Sequence, residues 1–171
     1  MSASFTGGGV IRNFTDSGVV IEASVDSVIA DFAISGNGRD GVQLNGATRA
    51  AVRANTILGN GGDGINAIDT TAGSFTSNSI LANGGDGVLI NGGTGNRILS
   101  NSVFGNGGTD GLGIKLSNGG NNDQPAPEID ALAFDEATLT LTLNLTVKAR
   151  PDYSGNFTVE VFYSPASGAT N

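Results

Sequence analysis

The chain has 171 residues and a formal net charge of −8, with eight basic residues against sixteen acidic ones and no cysteine or histidine. Without cysteine there can be no disulfide, thiolate metal site or cysteine nucleophile, and without histidine the commonest general base and metal ligand is gone. So few cations argue against a nucleic-acid groove, which needs a clustered positive surface, and no apolar run is long enough to cross a membrane.

Met1-Ser-Ala-Ser opens directly onto patterned sequence. No basic, apolar leader precedes it, so the expectation is a chain without a signal peptide. Terminal repeats of a solenoid normally carry an atypical cap, and none is visible before Gly9. Either the protein is cytosolic or the chain is a piece of a longer one, and the uncapped start favours the second.

From there the sequence repeats every 23 residues: Asn55, Asn78 and Asn101; Asn60, Asn83 and Asn106; Ile57, Ile80 and Val103. Gly64 and Gly87 keep the interval, and Gly111 follows one residue late, as expected from an insertion at Thr109. Extended backwards, the register takes in Ile34, Asn37 and Gly41, then Ile11 and Gly18. The 28 glycines are thus periodic rather than a mark of disorder, and a period of this length marks a solenoid.

Apolar residues alternate in short runs between turn residues, which is strand periodicity. Four columns are expected to face inward. They are Ile29, Val52, Phe75 and Ile98; Ile11, Ile34, Ile57, Ile80 and Val103; Val19, Val42, Ile65, Val88 and Leu112; and Ile21, Leu44, Ala67, Ile90 and Ile114. Thr56, Ser79, Ser102, Gln43 and Asn66, lying between columns, should face outward. Three short strands per turn, each paired in parallel with its counterpart one turn on, satisfy this pattern, and about five turns together bury what one cannot. Buried Asn amides can bond the amides above and below them, as in stacked sheets, and Asn tolerates the left-handed backbone of tight corners. Phe32 stands where Asn55 would recur, so that ladder should begin one turn in.

The runs "NTILGNGGDGI", "NSILANGGDGVLI" and "NSVFGNGGTDGLGI" resemble the right-handed parallel β-helix repeats of the pectate-lyase-like superfamily. The resemblance spans roughly residues 8–118. It implies an all-β chain, a right-handed parallel β-helix of about five turns. It also implies the setting of large secreted or surface-exposed bacterial proteins, hence an extracellular or cell-surface location. It does not imply one activity, because lyases, hydrolases, epimerases and non-enzymatic proteins share the scaffold.

The expected division is a β-helix over 1–117, a linker over 118–130 and a β-hairpin over 131–171. The stretch "SNGGNNDQPAPEID" from Ser117 to Asp130, which holds the linker, is dense in Asn, Gly and Pro. Leu139, Leu141, Leu143, Leu145 and Val147 alternate with polar residues, and Phe157, Val159, Val161 and Tyr163 do so after a turn. Two antiparallel strands with one apolar face follow, serving either as a C-terminal cap or as the start of a β-sandwich.

The candidate site is the acidic column Asp40, Asp63, Asp86 and Asp110, each just before the column glycine. Stacked carboxylates about 5 Å apart repel by about 3 kcal/mol at an effective dielectric of 20. Solvent, backbone N–H groups, a raised pKa or a cation can relieve this; the functional reading is calcium, and the plainer one is an Asp bonding backbone N–H groups of its own turn. No cofactor is required on this reading, and no residue is assigned a catalytic role. A repeat position usually serves the repeat, which leans away from an enzyme, although Arg39 and Asp63 could meet on adjacent turns and paired carboxylates can do acid–base work. The epimerase branch implied by the resemblance would need a histidine motif that this chain lacks. The expected function is a structural or interaction module of a larger extracellular bacterial protein, calcium-stabilised if the column binds metal. The alternative is a carbohydrate-active β-helix acting on or binding an acidic glycan. Expected partners are a polysaccharide or cell-surface molecule, and a second copy met through the solenoid ends or the hairpin, with no nucleic acid and no membrane.

Overall fold

The computed structural model describes residues 1–108 and 110–148. Met1–Asp123 form one compact unit, and the described chain from Gln124 onward a second.

In the first unit the chain coils five times. Its turns contain β1 (Ser4–Phe5), β2 (Gly9–Arg12) and β3 (Val19–Glu22); β4 (Val28–Ala30), β5 (Phe32–Ser35) and β6 (Val42–Asn45); and β7 (Ala51–Arg53), β8 (Thr56–Leu58) and β9 (Ile65–Ile68). β10 (Ser74–Thr76), β11 (Ser79–Leu81) and β12 (Val88–Asn91) form the fourth, and β13 (Arg97–Leu99), β14 (Ser102–Phe104) and β15 (Ile114–Ser117) the fifth. Equivalent strands of successive turns pair in parallel, giving three five-stranded sheets ordered β1-β4-β7-β10-β13, β2-β5-β8-β11-β14 and β3-β6-β9-β12-β15.

Strand alternation sends one face of each sheet inward. Ile34, Ile57 and Ile80 stack in register with no exposed surface, flanked above and below by partly buried Ile11 and Val103. Val52 and Phe75 stack in the same way in the first sheet, and Val42, Ile65 and Val88 in the third. Each such side chain contributes roughly 1.5–3 kcal/mol relative to exposure, but only because the neighbouring turns close the column.

Two corners are filled by asparagine amides. Asn55 donates its main-chain N–H (3.0 Å) and its amide (3.1 Å) to Asn78 Oδ1, and Asn78 does the same to Asn101 at 2.9 and 3.0 Å. The ladder does begin one turn in, with the Phe32 N–H on Asn55 Oδ1 at 3.0 Å. Asn37, Asn60, Asn83 and Asn106 build the second ladder in the same manner. The backbone geometry differs from expectation. The left-handed residue is the one before each ladder position: Asp31 (before Phe32), Ala54, Ser77 and Ser100 at one corner, and Gly36, Gly59, Ala82 and Gly105 at the other. The sharp reversal is made a residue early, so that each Asn re-enters with ordinary φ and its amide turned into the coil. A third, shorter ladder was not foreseen: Asn96 takes the Gly73 N–H (2.8 Å) and donates its own N–H to Asn121 Oδ1 (2.9 Å).

The fifth turn departs from the expected register. Val88 pairs with Ile114 and Ile90 with Leu116, an offset of 26 rather than 23. Leu112 and Ile114 therefore do not extend the columns of Val88 and Ile90 assigned to them. The glycine after Gly87 is Gly113, not Gly111, since Val88 donates to the Gly113 carbonyl as Val42 does to that of Gly64. Three extra residues are taken up by a tight turn in which the Asp110 and Gly111 N–H groups bond the Gly107 carbonyl.

After β15 a tight turn over Gly120–Asp123, left-handed at Asn121 and Asn122, carries Asn121 into the third ladder. In the second unit, β16 (Glu128–Asp135) pairs antiparallel with β17 (Thr140–Thr146), with a bulge between Ile129 and Ala131. The apolar run at 139–147 thus pairs with the segment preceding it. The expected partner, Phe157–Tyr163, lies outside the described residues.

Candidate functional site

The acidic corner lies between the second and third sheets, where each Gly-Gly-Asp-Gly segment swings the chain from β8 to β9 or from β11 to β12. The column glycine is required by close approach: a Cβ on Gly64 would meet the Ile80 methyl and the Gly87 carbonyl, and one on Gly41 the Ile57 methyl and the Gly64 carbonyl. With no side chain there, successive turns close until the aspartates stack.

Asp40, Asp63 and Asp86 form a ladder of their own. The Asp63 N–H donates to Asp40 Oδ1 at 2.8 Å, and the Asp86 N–H to Asp63 Oδ1 at 2.6 Å. The Leu112 N–H closes the series on Asp86 Oδ1 at 2.8 Å. At the other end the Asp40 N–H donates to Ser17 Oγ at 3.3 Å. Asp110 is not part of the column, because the extra residues of the fifth turn put Leu112 in its place. Each inner oxygen thus takes the main-chain N–H of the next turn, not one of its own.

The outer oxygens differ from turn to turn. Asp40 Oδ2 accepts from the Asn66 amide at 3.0 Å, and Asp86 Oδ2 lies 3.2 Å from Lys115 Nζ. Asp63 Oδ2 has no hydrogen-bond partner among the described residues, since the residue equivalent to Asn66 one turn on is Leu89. Burial raises the Asp63 pKa above the ordinary carboxylate value, and the charges of Asp40 and Asp86 add to this. The Asp86 N–H and, last, Lys115 oppose it. Arg39 pairs with Asp16 at 3.7 Å, both exposed, and not with Asp63. No group of three or more acidic side chains among the described residues is arranged to hold a metal ion.

Sequence reasoning missed Ser17 and Lys115. Ser17 stands 23 residues before Asp40, so the period could have found it. Lys115 was hidden by the insertion, which masks its pairing with Leu89.

These features define a parallel β-solenoid whose repeat residues bond one turn to the next. The model of the right handed beta helix region matches residues 3–124, and the chain belongs to that family. No curated protein matches the chain. Among solved structures, it is similar to the periplasmic alginate epimerase AlgG and to two mutants of that enzyme, at 19% identity and TM-scores of 0.47–0.48. The match covers 68% of this chain but only 33–35% of those, so the chain spans about a third of their length.

Proposed function

We propose that the chain is a structural and interaction module, a β-helix segment of a larger extracellular bacterial protein. The observation that supports this most directly is the use made of the acidic column. Its carboxylates accept the N–H groups of successive turns, the work of a repeat position rather than of a reacting pair. The outer faces of such a coil offer polysaccharides or cell-surface molecules a flat, regular surface. Calcium enters this reading as a stabiliser of the column through its outer carboxylate oxygens, Asp63 Oδ2 being the one without a partner among the described residues.

A second reading, a carbohydrate-active β-helix acting on or binding an acidic glycan, is favoured by one observation: a half-buried carboxyl with a raised pKa, Asp63, bonded to the N–H of Asp86, whose own carboxylate pairs with Lys115. A general acid would need such a shift. Incubation with polygalacturonate and alginate, with and without calcium, separates the two. The module should release no product. Turnover abolished by Asp63→Ala and kept in Thr56→Ala, on the outer face, would overturn it.

A further inference from the structure

Seven Asn-Gly pairs occur in the sequence: Asn37-Gly38, Asn45-Gly46, Asn60-Gly61, Asn83-Gly84, Asn91-Gly92, Asn106-Gly107 and Asn118-Gly119. Asn-Gly is the dipeptide most open to intramolecular attack, because glycine leaves the following amide nitrogen unshielded. The fold treats the seven unequally. In six pairs the glycine N–H is held by a main-chain carbonyl: Gly38 by Phe14, Gly46 by Ile68, Gly61 by Asn37, Gly84 by Asn60, Gly92 by Ser117 and Gly107 by Asn83, all at 2.8–2.9 Å. In four of these the asparagine is also buried and its amide locked into a ladder.

Asn118-Gly119 is different. Both residues are exposed, and the Gly119 N–H donates to no acceptor among the described residues. The Asn118 side chain is held only by an exposed bond from its amide to Asn91 Oδ1 at 2.6 Å. Both residues sit at positive φ, 50° and 77°, in the bend between β15 and the turn that ends the coil.

We infer that Asn118 is a site of spontaneous deamidation, selected by the fold from the seven Asn-Gly pairs. The Gly119 nitrogen gives up its proton and attacks Asn118 Cγ. The N–Cγ bond forms, the Cγ–Nδ2 bond breaks and ammonia leaves, giving a five-membered succinimide. Water then adds to either ring carbonyl and opens it to aspartate or to the β-linked isoaspartate, with no change of oxidation state. The isoaspartyl product adds a main-chain methylene beside the turn whose Asn121 completes the third ladder.

The test is to age the purified chain in mildly alkaline buffer, folded and in urea, and to map the mass gain of amide-to-acid conversion by peptide. Isoaspartate is confirmed by enzymatic methylation. In the folded chain Asn118 should react at least about tenfold faster than any other pair, because the others must first open locally. In urea all seven should react at similar rates. Asn118→Gln, which would have to form a less favourable six-membered ring, should remove the fast phase while leaving the circular dichroism unchanged. Even conversion across the folded chain, Asn45 or Asn91 keeping pace, a silent Asn118, or a fast phase surviving in Asn118→Gln would overturn the inference.

Discussion

Asn78→Ala tests whether the amide ladders hold the coil together. Asn78 makes four side-chain bonds: Oδ1 takes the Asn55 N–H and the Asn55 amide, and Nδ2 gives to Val52 O (2.8 Å) and Asn101 Oδ1. Truncation leaves the Asn55 N–H, enclosed in a residue only 2% exposed, without an acceptor. An orphaned buried donor costs about 1–3 kcal/mol, and three further bonds about 0.5–1.5 kcal/mol each, so the total is about 2.5–7.5 kcal/mol. A chain of this length has about 5–15 kcal/mol to lose, and each kcal/mol moves the midpoint by about 2–4 °C. The thermal midpoint followed by far-ultraviolet circular dichroism should therefore fall by at least about 5 °C. Thr56→Ala, on the exposed outer face, should stay within about 0.5 kcal/mol of the parent. If Asn78→Ala falls no further than Thr56→Ala, the ladder is incidental and columns of Ile and Val alone hold the coil.

Ile57→Asp should prevent folding, because it places an unpaired charge at a position with no exposed surface; an unchanged thermal midpoint would refute the interior assignment. Asp63→Asn addresses the acidic column. The raised pKa of Asp63 means that its contribution to stability is fully present below the unfolded carboxylate pKa and lost as pH rises through the folded value. Asparagine keeps the acceptor for the Asp86 N–H and drops the charge, so the midpoint of Asp63→Asn relative to the parent should climb from acid to neutral pH. A difference that is flat with pH would show that the carboxylate is relieved by solvent. The same variant should lose any calcium-induced rise in midpoint, and a rise kept in full would place the cation elsewhere.

The 23-residue period by itself determined the architecture. When Ile34, Ile57 and Ile80 recur at one interval between Asn and Gly corners, one local conformation repeats. Stacking it brings identical side chains into contact, so columns and amide ladders follow from sequence alone. Three things only the tertiary structure decided. One is the register of β15: three inserted residues leave the local pattern intact, and strand pairing sets Ile114 against Val88 and Leu116 against Ile90, leaving Asp110 outside the column. Another is the partner of each carboxylate, because the Asp63 N–H that meets Asp40 is a main-chain group brought there by stacking and carries no side-chain signature. The last is the pairing of β17 with β16, since alternation gives a strand one apolar face but does not say which other strand its edge will join.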